Sequence, residues 1–374
     1  MGTLKLFSSV SFFMIFSCLT LSAQLNDIVV LNSRISESHD RNVSIIGNEF
    51  KNYVVAKVKD YILRTDSANV KYWNTQRSNI DRYGDIVGGL GLKNIYICGK
   101  TMVHDILLRP DSTYILHATT FVPVDSASID VLGHYKICAT IKHGIVKFHN
   151  YATYCIENKI VGHYYRKNIN YYFPLHYCID KRAVKKTDAF ISKILQDYGF
   201  TDGVQPIMYF LANSLDDAYG IVGASYSIAT TSAPTAGMFN GNNIIYSQRP
   251  DHLHELVHAL FMPRFPQAHR IFHEGLADYL TLSPDLHEKR KNQFRDYIRT
   301  APLSISTDED LYQLDRVNAD GSNHFYTLGV MLIEHAQRQG GSAKVIALLQ
   351  HKSALTAIAS ELGIDDIMTF ARSN

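Results

Sequence analysis

The segment His254-Glu255-Leu256-Val257-His258 lies in a run whose apolar residues leave little choice of local structure. Leu253, Leu256, Val257 and Leu260 recur at i, i+3, i+4 and i+7, the spacing of one face of an α-helix. Pro250 is expected to open that helix at its first turn, and Pro263 and Pro266 to end it. On such a helix His254 and His258 stack one turn apart beside the apolar stripe. Two imidazoles so placed can ligate one zinc ion. Glu255 is rotated by about 100° from His254. That aims its carboxylate at the open side of a metal site, where it can take a proton from water.

A catalytic zinc site takes three protein ligands and keeps one position open. The metzincin solution would need Gly at 261 and His at 264. This chain has Phe261 and Arg264, which excludes it. The next segment, Ile271-Phe272-His273-Glu274-Gly275-Leu276-Ala277-Asp278-Tyr279-Leu280, again has helical spacing, with Phe272, Leu276, Tyr279 and Leu280 as its apolar stripe. Glu274 and Asp278 fall one turn apart on another face. Gly275 and Ala277 are small and are expected to let this helix approach the first closely. Glu274 can then reach the metal. Asp278 can accept the second ring N–H of a ligating histidine, which fixes its tautomer. His269 and His273 are rival third ligands. Glu274 is preferred because it alone is followed by a carboxylate at i+4.

His-Glu-Leu-Val-His followed by Glu-Gly-Leu-Ala-Asp-Tyr resembles the gluzincin metallopeptidases, the thermolysin-like group with a downstream glutamate ligand. The resemblance implies zinc ligands His254, His258 and Glu274, with Glu255 as general base and Asp278 supporting a ligand histidine. It is strong over 250–281 and weaker over about 176–374. The connection of 15 residues between His258 and Glu274 is shorter than in thermolysin. The implied activity is peptide hydrolysis. An endopeptidase is expected, because no group that binds a chain terminus is identifiable. Two other readings remain: a catalytically silent zinc-binding surface or adhesion module, and a zinc hydrolase of a non-peptide bond.

The rest of the chain supplies context. Its 374 residues suggest two domains. The expected fold class is α+β: an N-terminal antiparallel-sheet domain with a packed helix over 24–172, then a gluzincin-like domain over 173–374 with a small sheet and a mostly helical C-terminal part. Val54, Val58 and Ile62 place a helix over 50–63. Short β-prone runs follow at 95–98, 113–116, 135–138 and 145–148, with turn signals at Arg109-Pro110-Asp111 and His143-Gly144. In the second half, a helix over 182–198 stopped by Gly199, a strand over 207–211 and short strands within 220–243 are expected. Residues 1–23 read as a signal peptide, so the chain is expected to be secreted or periplasmic. An N-terminal membrane anchor and a lipid on Cys18 are the less favoured readings. No later segment is apolar enough to span a membrane. Cys98, Cys138, Cys155 and Cys178 allow three disulfide pairings or none, and their spacing does not suit zinc. Net charge is +2, and no basic stretch is interleaved with aromatics, so nucleic acid is not an expected partner. A peptide or protein substrate is.

A peptidase also needs a hydrogen-bond donor for the developing oxyanion. Tyr326 is the first candidate and His324 the second, while Tyr279 reads as structural. Ala236-Gly237-Met238-Phe239-Asn240 weakly resembles the edge-strand motif of zinc aminopeptidases. Phe239 stands where those enzymes carry an amine-binding Glu, which disfavours an aminopeptidase. His252 and the run His287-Glu288-Lys289-Arg290-Lys291 read as solvated helix residues.

Overall fold

The computed structural model describes residues 28–87, 95–97, 99–125, 128–201, 205–227, 237–241, 243–301, 303–318 and 321–373. The signal-peptide reading of 1–23, Cys18, Cys98 and Ala236 all fall outside them. The architecture is mixed α+β: an N-terminal mixed sheet with helices, a second mixed sheet, and a helical C-terminal region. The chain divides into two compact units, one of residues 1–162 with 215–234, the other of 163–214 with 235–374. Residue 172, where the sequence placed the division, lies in a strand of the second unit's sheet.

In the first unit, β1 (Val29–Leu31), β2 (Lys100–Leu108), β3 (Tyr114–Pro123), β4 (Ile129–Lys142) and β5 (Ile145–Asn150) lie side by side in that order. β1 runs parallel to β2, so the sheet is mixed rather than antiparallel throughout. From β2 to β5 it is antiparallel. The His143-Gly144 turn works as the sequence suggested, because both residues hold the positive φ that a tight hairpin needs. Three helices come early: α1 (Ser33–Ser36), α2 (Arg41–Leu63) and α3 (Ser67–Tyr72). α2 begins nine residues before the sequence-derived start at 50, because Asp40 caps it by accepting from the Asn42 N–H at 2.9 Å. Val54 and Val58 are buried as expected, but Ile62, near the helix end, is exposed. The unit is completed by α4 (Tyr151–Glu157), and by α6 (Leu215–Val222) and β9 (Ala224–Ser227) from later in the chain. β9 pairs with the same edge of β4 that β5 occupies further along.

Residues 95–97 form a 3-10 turn, not the strand that their β-prone side chains suggested. The cause is tertiary. Tyr96 is fully buried against Phe50, Tyr53 and Tyr135, and its hydroxyl donates to Asp85 at 2.5 Å. Tyr53 donates to the same carboxylate at 3.0 Å. Cys138 and Cys155 are buried free thiols and Cys178 an exposed one. Burial raises the Cys155 thiol to about 11.

The second unit carries a five-stranded sheet in the order β10 (Gly237–Phe239), β11 (Ile244–Ser247), β8 (Ile207–Leu211), β7 (Ile169–Pro174) and β6 (Val161–Tyr165). β11, β8 and β7 are parallel, and β10 closes one edge as an antiparallel strand. Every residue of β8 is buried, as a central strand covered on both faces requires. The helices are α5 (Lys181–Asp197), α7 (Leu253–Phe261), α8 (Arg270–Thr281), α9 (Pro284–Thr300), α10 (His324–Leu349), α11 (Ala354–Leu362) and α12 (Ile367–Ser373). Gly199 ends α5 with a φ of +66°. Among the described residues no helix is long and apolar enough to cross a membrane.

Two details of the motif helices differ from expectation. Pro250 lies in a turn ahead of α7, whose cap position is His252, so it does not open the helix. Gly275 does serve a close approach, but to α10 rather than α7. A Cβ on Gly275 would stand 2.3 Å from the backbone carbon of Gly329, and one on Gly329 would stand 2.4 Å from the Ile271 carbonyl oxygen.

Two expectations follow. Gly275→Ala should destabilise by about 1–3 kcal/mol, because backbone has to move, and this outweighs the gain of up to about 1 kcal/mol in helix propensity. Chemical denaturation checks it, and a variant as stable as the parent contradicts the close crossing. In the first unit, burial holds the His149 imidazole down at about 3, helped by the neighbouring Arg77. The folded state therefore takes up that proton later than the unfolded state, and stability should fall as pH drops from about 6.5 toward about 3. His149→Leu should lose one proton's worth of that slope in acid denaturation series, and an unchanged slope excludes His149 as its source.

Candidate metal centre

α7 presents His254 and His258 from consecutive turns because Leu256, Val257 and Leu260 on the adjoining stripe are buried in the core. α8 lies beside it with Phe272 and Leu276 in the same core. The packing brings three ligand atoms together. Nε2 of His254 and Nε2 of His258 are 3.0 Å apart, and Oε2 of Glu274 lies 3.3 Å from the first and 3.2 Å from the second. Ligand atoms at the usual zinc bond length in a tetrahedral shell stand about 3.3 Å apart. The three atoms therefore suit a small divalent ion, and this His-His-Glu group could hold one.

Each carboxylate has a second partner. Asp278 Oδ1 is 3.0 Å from His254 Nδ1, and its Oδ2 accepts from Nη1 of Arg290 at 2.8 Å. This leaves Nε2 of His254 to face the cluster. Glu274 Oε1 accepts from Nε of Arg270 at 3.2 Å. The second ring nitrogen of His258 is buried with no hydrogen-bond partner, so only one histidine of the pair has a carboxylate behind it.

Burial works against charge on both His254 and Glu274, but their hydrogen bonds win. Asp278 and Glu274 raise His254 to about 10, and the two histidines hold the Glu274 carboxyl far below the usual carboxylate range.

The rival third ligands are used elsewhere. His269 caps α8, its Nδ1 accepting from the Ile271 N–H at 3.3 Å. The buried His273 directs Nε2 at the Phe265 carbonyl, 3.1 Å away, and burial holds its imidazole down at about 4. Glu255 stands outside the ligand triangle. Its Oε2 accepts from the Phe239 backbone N–H at 2.8 Å, and the Phe239 ring lies nearly parallel to that of His258. Edge strand β10 thus holds this carboxylate. A Cβ on Gly237 would stand 2.1 Å from His252 Nδ1, so His252 packs on β10 instead of facing solvent.

The Tyr326 ring lies over His254, with centroids 6.1 Å apart and planes at 13°. Burial and the nearby Glu274 raise its phenol, which keeps the hydroxyl a donor. His324 is not at the cluster: it stacks on Tyr297 and contacts Asn318. Tyr279 stacks on His287. The run 287–291 is solvated only in part: Glu288 and Lys289 are exposed, and the other three residues are engaged. His287 Nε2 reaches the Asp278 carbonyl at 3.1 Å, Arg290 holds the Asp278 carboxylate, and Lys291 is buried between Glu288 and Glu334.

Arg270, Arg290 and the Phe239 N–H are the parts of the site that sequence reading missed. Arg270 left a faint signal, one turn before Glu274. The other two are set by tertiary packing and left none. No family model matches the chain, and no curated protein or solved structure matches it. The likeness to the gluzincins therefore rests on the motif residues themselves.

Asp278 and Glu274 favour a proton on His254. A metal ion must displace the same proton. Calorimetry of zinc binding near neutral pH, in buffers of different ionisation enthalpy, should show proton release on binding. Binding with no proton release contradicts the protonated cluster.

Proposed function

We propose that this chain is a zinc-dependent peptidase, and that it cleaves within peptide chains. The observation that carries the reading is the meeting of Nε2 of His254, Nε2 of His258 and Oε2 of Glu274 at ligand spacing, with Glu255 on the same helix yet outside the triangle. A purely structural site has no need of that carboxylate. Held there, zinc would supply a Lewis acid that polarises a scissile carbonyl and lowers the pKa of water to about 7.

The remaining work falls to the chain's own residues. Glu255 takes the proton from the attacking water and passes it to the leaving amine. The Phe239 N–H fixes one of its oxygens, so the base does not have to be ordered at the moment of reaction. Asp278 holds the tautomer of His254, and Arg290 holds Asp278. The Tyr326 hydroxyl serves as the donor to the developing oxyanion. β10 is the edge of its sheet, and an extended peptide can add alongside it by main-chain hydrogen bonds. Phe239 gives that edge an apolar side chain where an amine-binding carboxylate would select a chain terminus, which supports internal cleavage. Action outside the cytoplasm goes with this reading, through the leader-like residues 1–23.

Glu255→Gln should keep about one zinc per chain and lose cleavage of unstructured peptides by a factor of about 100 or more. Metal analysis and a peptide-cleavage assay on the same preparation check both halves. A variant that cleaves as fast as the parent removes Glu255 from the mechanism.

A further inference from the structure

The two oxygens of Glu274 face different neighbours. Oε2 faces the two imidazoles, at 3.3 and 3.2 Å from their Nε2 atoms. Oε1 accepts from Nε of Arg270, one turn earlier on α8, at 3.2 Å. The guanidinium is held on its other edges too. Nη1 donates to Asp315 Oδ2 at 2.6 Å, and Nη2 lies 3.4 Å from the Tyr326 hydroxyl. Asp315 is fixed in turn by Asn323 Nδ2 at 2.8 Å, and Asn323 caps α10 through the Phe325 N–H. The guanidinium carbon also lies over the Phe325 ring, 5.5 Å from its centroid. A planar group held on three edges has one orientation, and here it aims Nε–H at Oε1.

We infer that Arg270 is a positioning residue that keeps Glu274 a one-oxygen ligand and so preserves an open coordination position. The inference rests on reading His254, His258 and Glu274 as a metal site. A glutamate with both oxygens free can chelate an ion through the pair. Its second oxygen would then fill a position that a catalytic site has to leave for water or substrate. Arg270 prevents this by occupying Oε1 with a charge-assisted hydrogen bond. The same guanidinium also sets the Tyr326 hydroxyl, so a single side chain fixes both the ligand's denticity and the donor above His254. A lysine could offset the charge of Glu274 and Asp315, but it is a point charge without a planar fork and could not hold both in one plane.

Cobalt(II) bound to the full chain in place of zinc tests this, because four-coordinate cobalt absorbs visible light far more strongly than cobalt with additional ligands. The parent protein should show the intense four-coordinate bands. Arg270→Gln and Arg270→Lys should bind cobalt with several-fold weaker bands, as Glu274 adds its second oxygen. Asp315→Asn removes the charge that anchors the guanidinium and so loosens it, without altering any group at the cluster. It should shift the spectrum the same way by less, and it keeps the test open if the Arg270 variants fail to fold. Parent-like spectra in the cobalt-loaded variants overturn the inference. So does full recovery by Arg270→Lys, which would mean that charge alone matters. A parent chain that binds no cobalt overturns the metal reading, and this inference with it.

Discussion

A carboxylate largely removed from water has to be met by donors or positive charge, and Glu274 sits under that constraint. Its two oxygens are answered on opposite sides, by two imidazoles and by a guanidinium. Four helices of the second unit, α7 to α10, hold those partners in place. α7 contributes His254 and His258 because its apolar stripe fixes its rotation. α8 crosses α10 at Gly275 and Gly329 closely enough that a side chain on either would strike backbone. That crossing places Tyr326 over His254, and Asp315, held by Asn323, lies within reach of Arg270. α9 adds Arg290 behind Asp278. Negative charge at the cluster is thus matched by arginines from two helices, and the hydrogen-bond chain runs unbroken from the cap of α10 to α9.

How much of this was legible in the sequence depended on the range of the interaction. His254 and His258, and again Glu274 and Asp278, are one helical turn apart, and helical geometry alone puts each pair on one face. That the two faces meet was read from the chemistry a third ligand needs, and the packing brings them together. Arg270 was visible as an i−4 neighbour of Glu274, but such pairs are common on exposed helices and carry little weight by themselves. Arg290 sat in a run that looked solvated because nothing local records that Asp278 lies against it. The smallness of Gly275 signals a close approach but does not say which helix it admits, and here that helix is α10. The Phe239 N–H is a backbone donor and has no sequence signature at all.

The fold shows the same division. Hairpin turns, the strand at 207–211 and the helices with clear stripes were readable, because their signals are local. The parallel pairing of β1 with β2 was not, since it joins segments some seventy positions apart. The 3-10 turn at 95–97 was missed because the burial of Tyr96 against α2 overrides β-propensity there. The return of 215–227 to the first unit was missed because β9 is four residues long and completes an edge begun by β5.

The central claim is that His254, His258 and Glu274 hold a zinc ion through one atom each. Anomalous diffraction at the zinc edge, from crystals of the zinc-loaded protein, tests it most directly. The expected result is a single peak about 2.0–2.2 Å from Nε2 of His254, Nε2 of His258 and Oε2 of Glu274. The absence of a peak there, or a peak with any of the three atoms beyond bonding distance, would contradict it.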